Sequence, residues 1–174
     1  MTNALWSQRL LYLLISLLFI LWLIAPQNSL SQALPTPEFL FCFTLAIILR
    51  RPEVLPVILI AIVFLFCDVL FNRPIGLWTA IVIIISEFAK TQYWRYKGSN
   101  FVTAWFFISF LSSVGIFLYM IVLNLLLVPQ ANFWQYLIWA LITILIYPIM
   151  FCLSFLIVGF DNQSYERPLI RKKT

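Results

Sequence analysis

Long apolar stretches separated by short polar breaks run through the whole chain. A helix needs about 20 apolar residues to cross a hydrocarbon core of ~30 Å at ~1.5 Å per residue. The pattern therefore predicts an all-α integral membrane protein, a bundle of six transmembrane helices forming one domain over residues 1–174. The predicted spans are 10–25, 37–49, 52–71, 75–89, 101–128 and 133–160, and a basic tail follows at 161–174.

The composition supports a membrane environment and argues against catalysis. Hydrophobic residues make up 64% of the 174 positions and charged residues only 10%, which is too few for the surface of a soluble domain. Histidine is absent, and the three cysteines lie inside apolar stretches at spacings that fit neither a disulfide framework nor a metal site. The two aspartates, Asp68 and Asp161, fall at opposite ends of the predicted bundle, which excludes an aspartyl dyad. We expect no catalytic, cofactor-binding or metal site, and no enzymatic activity.

The basic residues predict the orientation of the bundle. With the N-terminus in the cytoplasm, ten of the eleven Lys and Arg residues fall in cytoplasmic segments, and only Arg73 falls outside. Positive charge in short loops marks the cytoplasmic side, so both termini are predicted to lie inside. The net charge of +5 then indicates contact with anionic lipid at the cytoplasmic face, with no role for nucleic acid.

An acidic residue at the end of the third predicted span is the first candidate site. Asp68 lies about one turn inside the outer end of that span, where the helix dipole disfavours a carboxylate. Arg73, Pro74 and Gly76 follow in a tight corner. We hypothesise that Asp68 and Arg73 are coupled. The residues leave open whether they form an interfacial ion pair with a structural role or take part in an interaction or in transport.

Two further groups of residues suggest contacts within or between helices. Glu87 is followed by Lys90 at i+3, which predicts an ion pair near the inner headgroups, with an interaction role as the alternative. Ser109, Ser113 and Gly115 place small side chains on the fifth span, where a neighbouring helix can approach closely. Such a face is equally suited to packing within the bundle and to binding a partner.

The stretch PTPEFLFCFTLAIILRRPEVLPVILIAIVFLFCDVLFNRPIGLWTAIVIIISE resembles the bacterial rod shape-determining MreD family. That family has a proline-started second segment, a short basic loop, and an outward helix that ends in Asp before a turn. The matching positions here are Asp68, Pro74 and Gly76, continued by Leu77 and Trp78. The family usually has glycine four residues before the aspartate, where this chain has Phe64. The resemblance covers residues 35 to 90 well and the remaining segments by pattern.

This resemblance implies a function that composition does not. It implies a non-enzymatic scaffold in the bacterial inner membrane, part of the cell-elongation machinery that synthesises peptidoglycan and maintains rod shape. The implied partners are an MreC-type protein together with MreB, RodZ, RodA and its transpeptidase. Asp68, Arg73, Pro74, Gly76, Trp78 and Glu87 are the candidate interaction residues.

The MreD fold is also similar to the substrate-binding S components of vitamin transporters, and a subunit of this kind is the alternative function. S components commonly present an Ala-xxx-Ala face on the first helix, and the first span here, LLYLLISLLFILWLIA, lacks one. A transporter of lipid-linked precursors is a third possibility. It would need a polar cavity, which few groups in this sequence can line.

Overall fold

The computed structural model describes residues 2–24, 38–96, 100–128 and 132–158, and within these ranges the chain is helical and contains no strand. A short 3-10 turn, Pro52–Val54, lies between the second and third helices. The helices are α1 (Thr2–Ile24), α2 (Phe39–Ile48), α3 (Val57–Leu70), α4 (Leu77–Thr91), α5 (Tyr93–Tyr96), α6 (Phe101–Leu125) and α7 (Phe133–Val158).

The helices confirm the all-α prediction, and three of them are compatible with a membrane protein. Among the described residues, three helical segments are long and apolar enough to cross a membrane: Leu5–Ile24, Phe101–Leu125 and Phe133–Ile157. Each of the other predicted spans also contains a helix, but α2, α3 and α4 have only 10, 14 and 15 residues. Six crossings therefore stay a prediction. The start of the predicted second span at 37, the tail at 161–174 and Asp161 lie outside the described residues.

The short helix α2 lies at the centre of the bundle. It packs mainly against α7 and also contacts α1, α4 and α6. All of its residues except Phe39 are buried, whereas α1, α6 and α7 each expose a row of large apolar side chains. The buried Thr44 hydroxyl donates to the Leu40 carbonyl at 2.7 Å and lies 2.9 Å from the Tyr12 hydroxyl. The centre is thus apolar, and this threonine has hydrogen-bonding partners.

A proline in α7 links that helix to α6. The helix continues through Pro148, which has no N–H to donate to the carbonyl of Ile144 four residues earlier. The indole Nε1 of Trp105, on α6, donates to this carbonyl at 3.1 Å. A backbone acceptor that proline leaves without its usual helical partner is therefore satisfied by a side chain from the neighbouring helix.

One of the three small residues predicted to pack on α6, Gly115, lies close to a neighbouring helix. Gly115 is buried against α4, and a Cβ at this position would lie 2.7 Å from Cδ1 of Ile85. Ser109 and Ser113 are only half-buried, and the Ser113 hydroxyl donates to the Ser109 carbonyl of its own helix at 2.9 Å. The close helix contact predicted from these residues thus occurs at Gly115.

Candidate functional site at the α3–α4 corner

The corner that joins α3 to α4, residues 71–76, reverses the chain in a few residues. The Phe71 N–H closes the last turn of α3 on the Cys67 carbonyl at 2.9 Å, and the Arg73 N–H donates to the Asp68 carbonyl at 3.1 Å. Gly76 immediately precedes α4 with φ +83°, a left-handed conformation that glycine adopts without a Cβ penalty. The corner consequently places the start of α4 beside the end of α3.

The Asp68 carboxylate caps α4. Asp68 is fully buried, and its Oδ2 accepts hydrogen bonds from the Gly76 N–H at 3.1 Å, the Thr79 N–H at 3.1 Å and the Thr79 hydroxyl at 2.8 Å. Its Oδ1 is also buried and has no hydrogen-bond partner among the described residues. We expected an unfavourable position at the end of α3. The tight corner instead brings the carboxylate to the N-terminus of α4, where the dipole favours negative charge.

Arg73 forms its ion pair with Glu38, so the predicted ion pair with Asp68 is wrong, and the Asp68 carboxylate contributes only a smaller electrostatic attraction. Its Nη2 donates to Oε1 of Glu38 at 2.7 Å, and the two side chains are 18% and 11% exposed. Asp68 is instead engaged by the start of α4, while Glu38 immediately precedes α2 at the same end of the bundle. Burial acts to lower the pKa of Arg73, but the attraction and hydrogen bond of the Glu38 carboxylate, together with smaller effects of Tyr119 and Asp68, make the net shift upward.

Three aromatic rings surround the Arg73 guanidinium. Its Cζ lies 5.6 Å from the ring centroid of Phe71 and 5.7 Å from those of Trp78 and Trp139, within the range of cation–π attraction. Trp78 also packs against Tyr119, with a centroid separation of 5.4 Å. Trp78 has no exposed surface, so this candidate interaction residue serves the interior and does not present its indole to a partner.

A small pocket adjoins the ion pair. Its volume is about 30 Å³, enough for one or two water molecules and too small for an organic cofactor. Phe64, on α3, is one of the residues that line it. The lining residues come from α1, α2, α3 and the corner: Phe19, Ile20, Leu23, Glu38, Phe39, Leu40, Phe64, Cys67, Phe71 and Arg73.

The remaining candidates lie apart from this buried cluster. Glu87 is near the far end of α4 and pairs with Lys90 at 2.7 Å, as its spacing predicts, with 47% of its side chain exposed. Ile75, at the tip of the corner, is 74% exposed. In the part of the chain that the structure describes, no cluster of three potential metal ligands occurs. The corner thus combines a buried polar interior with an exposed apolar tip.

Sequence reasoning missed three contributors to this site: Glu38 as the partner of Arg73, Thr79 as a donor to Asp68, and Trp139 beside the guanidinium. A signal for Glu38 existed, because the predicted topology places it at the same end of the bundle as Arg73. Nothing in the sequence pattern pairs Trp139 on α7 with the corner, which lies more than 60 residues earlier.

The fold and corner define an all-helical protein with long apolar helices and a buried charged corner. Neither a family model, nor a curated protein, nor a solved structure matches this chain.

Proposed function

We propose that this chain is a non-enzymatic scaffold of the bacterial inner membrane that supports cell elongation and peptidoglycan synthesis, in the manner of the MreD family. The observation that carries the proposal is the α3–α4 corner. Asp68, Pro74 and Gly76, which carry the resemblance, belong to one hydrogen-bonded unit: Asp68 Oδ2 accepts from the Gly76 N–H, and the Pro74 carbonyl accepts from the Leu77 N–H. This gives those residue types at that spacing a physical reason.

The proposed topology has six spans with both termini in the cytoplasm. The distribution of ten bases against one supports it, as does the α3–α4 corner, which makes these two helices antiparallel neighbours. A reporter that is active only in the periplasm tests it when fused after Thr174. We expect an inactive fusion. Activity there would exclude the proposed orientation.

The proposed partner is an MreC-type protein. The two proteins would work together with MreB, RodZ, RodA and its transpeptidase. The contact surface consists of the exposed apolar face of α1 and the tip of the corner. Among the long apolar helices, α1 has the smallest buried share, and it presents Leu10, Leu14 and Leu21 on its exposed side. A surface of this kind suits a spanning helix of another protein, because close packing in lipid replaces the hydrophobic effect as the source of affinity.

Co-purification from detergent tests this partnership. The wild-type chain is expected to retain an MreC-type protein. Depletion of this chain from rod-shaped cells is expected to make them round. Ile75→Ser, at the corner tip, should weaken retention without unfolding the chain because Ile75 is 74% exposed. Leu125→Ser, at an 81% exposed position near the end of α6, is the matched control. Retained rod shape after full depletion, with no MreC-type protein recovered, would exclude the scaffold role.

The alternative is a subunit similar to vitamin-transporter S components, and the observation that favours it is the pocket between α1, α2 and α3. A vitamin would need a volume far above the ~30 Å³ of this pocket, so binding would require the lining helices to separate. Mass spectrometry of the purified chain separates the two functions. A tightly retained vitamin would favour transport, and a retained MreC-type protein favours the scaffold.

A further inference from the structure

The turn that joins α2 to α3, residues 50–56, collects basic side chains from two separate parts of the sequence. Arg50 follows the end of α2 directly. Arg9, on α1, reaches the same turn, where its Nε donates to the Val54 carbonyl and its Nη2 to the Glu53 carbonyl, both at 3.3 Å. The two arginines are 41 positions apart in the sequence, and the fold brings both to one turn.

Arg50 is held in a fixed orientation. Its Cζ lies 3.4 Å from the ring centroid of Phe155, and its Nη1 donates to the buried Ser154 hydroxyl at 3.2 Å. No carboxylate of the described residues pairs with it. Burial lowers the pKa of Arg50, since a half-buried cation without a counter-ion is costly. An anion bound at this guanidinium would offset that cost.

Both arginines retain donors for such an anion. Each guanidinium has five N–H groups in a planar fork that matches phosphate oxygens. Contacts with the described residues use two of these groups on Arg9 and one on Arg50. The remaining donors can bind a phosphate with charge-assisted hydrogen bonds, which are stronger than neutral ones.

The surroundings of the turn indicate that the phosphate belongs to a lipid. Trp6 lies under the Arg9 guanidinium, 5.6 Å from its Cζ to the ring centroid, and is 61% exposed. Leu10, one turn further along α1, is 63% exposed, and Ile58, in the first turn of α3, is 73% exposed. Acyl chains would cover these apolar side chains, whereas a free phosphate would not. Aromatic and basic side chains together are typical of the membrane interface.

We propose that the α2–α3 turn, through Arg9 and Arg50, is a binding site for the phosphate of an anionic phospholipid. The site needs a membrane around the helices but does not depend on the scaffold role. Loss of MreC-type binding would therefore leave it intact.

Lipid titration of the purified full-length chain in a nonionic detergent tests the site. The measurement is the rise in melting temperature with added phosphatidylglycerol, compared with phosphatidylcholine, which carries the same phosphate but no net charge. We expect saturable stabilisation by phosphatidylglycerol alone. Inorganic phosphate and an acidic peptide at matched charge are titrated in parallel as controls. Neither should raise the melting temperature of the chain.

Charge-removing variants locate the site. Each arginine near a membrane surface contributes about fivefold to lipid affinity, so Arg9→Gln and Arg50→Gln should each raise the half-saturating lipid fraction by about that factor. Arg95→Gln, which removes an exposed cation from α5, is the matched control and should leave it unchanged. Arg50→Lys keeps the charge but loses the fork, so a loss smaller than that of Arg50→Gln is expected.

Three results would overturn the proposal: equal losses for Arg95→Gln and Arg50→Gln, stabilisation by inorganic phosphate or by the peptide to the same extent, or unchanged lipid dependence in Arg9→Gln and Arg50→Gln. If a glutamine variant fails to accumulate, lipid retention by Arg50→Lys, measured by native mass spectrometry, tests the site instead. If Arg50→Lys retained as much phosphatidylglycerol as the wild type, a site built on the guanidinium fork would be contradicted.

Discussion

Replacing Arg73 by glutamine removes the cation that neutralises Glu38 in the α3–α4 corner. The Glu38 side chain is 11% exposed and would be left as a nearly buried, unpaired carboxylate, which costs about 3 kcal/mol. The variant also loses the attraction of the guanidinium to three rings at 5.6–5.7 Å, worth about 0.5 kcal/mol each. We therefore expect Arg73→Gln to lower the free energy of unfolding by about 4 kcal/mol.

A double-mutant cycle isolates the ion pair from the ring contacts. Glu38→Gln alone should cost about 2 kcal/mol, because the glutamine oxygen still accepts a hydrogen bond while the Arg73 charge loses its counter-ion. The double variant buries no unpaired charge and loses mainly the ring contacts, so it should cost only about 1.5 kcal/mol. The coupling free energy between the two positions is then about 4–5 kcal/mol.

Equilibrium unfolding by SDS in nonionic micelles, followed by helical circular dichroism, measures these free energies. The control cycle combines Asp68→Asn with Arg73→Gln, and its coupling should stay below about 0.5 kcal/mol because the Asp68 carboxylate bonds to α4. The reverse outcome, with coupling to Asp68 and none to Glu38, would refute the pairing in the structure and restore the sequence-based hypothesis.

Three further substitutions probe the backbone and the packing, each by the same unfolding measurement. Gly76→Ala should cost about 1 kcal/mol from φ +83° alone, since no atom lies within 4 Å of the added Cβ; an unchanged stability would argue against the left-handed conformation. Gly115→Ala should destabilise the chain by about 1 kcal/mol, because the added Cβ would lie 2.7 Å from Cδ1 of Ile85. Adding Ile85→Val should remove much of this penalty. A penalty that Ile85→Val does not change would place the clash elsewhere. Trp105→Phe should cost about 1–2 kcal/mol because it leaves the Ile144 carbonyl unpaired. The cost should be smaller in a Pro148→Ala background, where the backbone N–H restored at position 148 can donate to that carbonyl. Equal costs in both backgrounds would contradict this account.

Periodicity and length were sufficient to predict the helical class and to locate a helix within each apolar segment. They could not predict that α2 lies at the centre of the bundle, because a buried helix and a lipid-facing helix have the same apolar composition. The spacing of Glu87 and Lys90 predicted their ion pair, since both residues lie on one turn of a helix.

The predicted topology placed both Asp68 and Glu38 at the end of the bundle where Arg73 lies, but it could not decide which of them pairs with Arg73. Asp68 is five residues from Arg73 and Glu38 is 35 residues away, so proximity in sequence favoured the wrong carboxylate. The choice depends on the path of the chain through the corner. That path turns Asp68 towards the N–H groups of α4 and leaves Arg73 facing α2. Local patterns contain no information about such a turn in three dimensions.

The shortness of α2 has a consequence for how the chain enters the membrane. Ten residues rise only about 15 Å, roughly half of a hydrocarbon core, so this helix is too short to be held across lipid alone. The charged residues that flank it are held by other parts of the chain: Glu38 by Arg73, and Arg50 by Ser154 and Phe155 of α7. During biogenesis, Glu38 can pair with Arg73 as soon as the α3–α4 corner has formed, whereas Arg50 gains its partners only after α7, the last described helix to be synthesised, has arrived. Until then Arg50 lacks these contacts, so we expect a chain that stalls before α7 to be a target for membrane quality control.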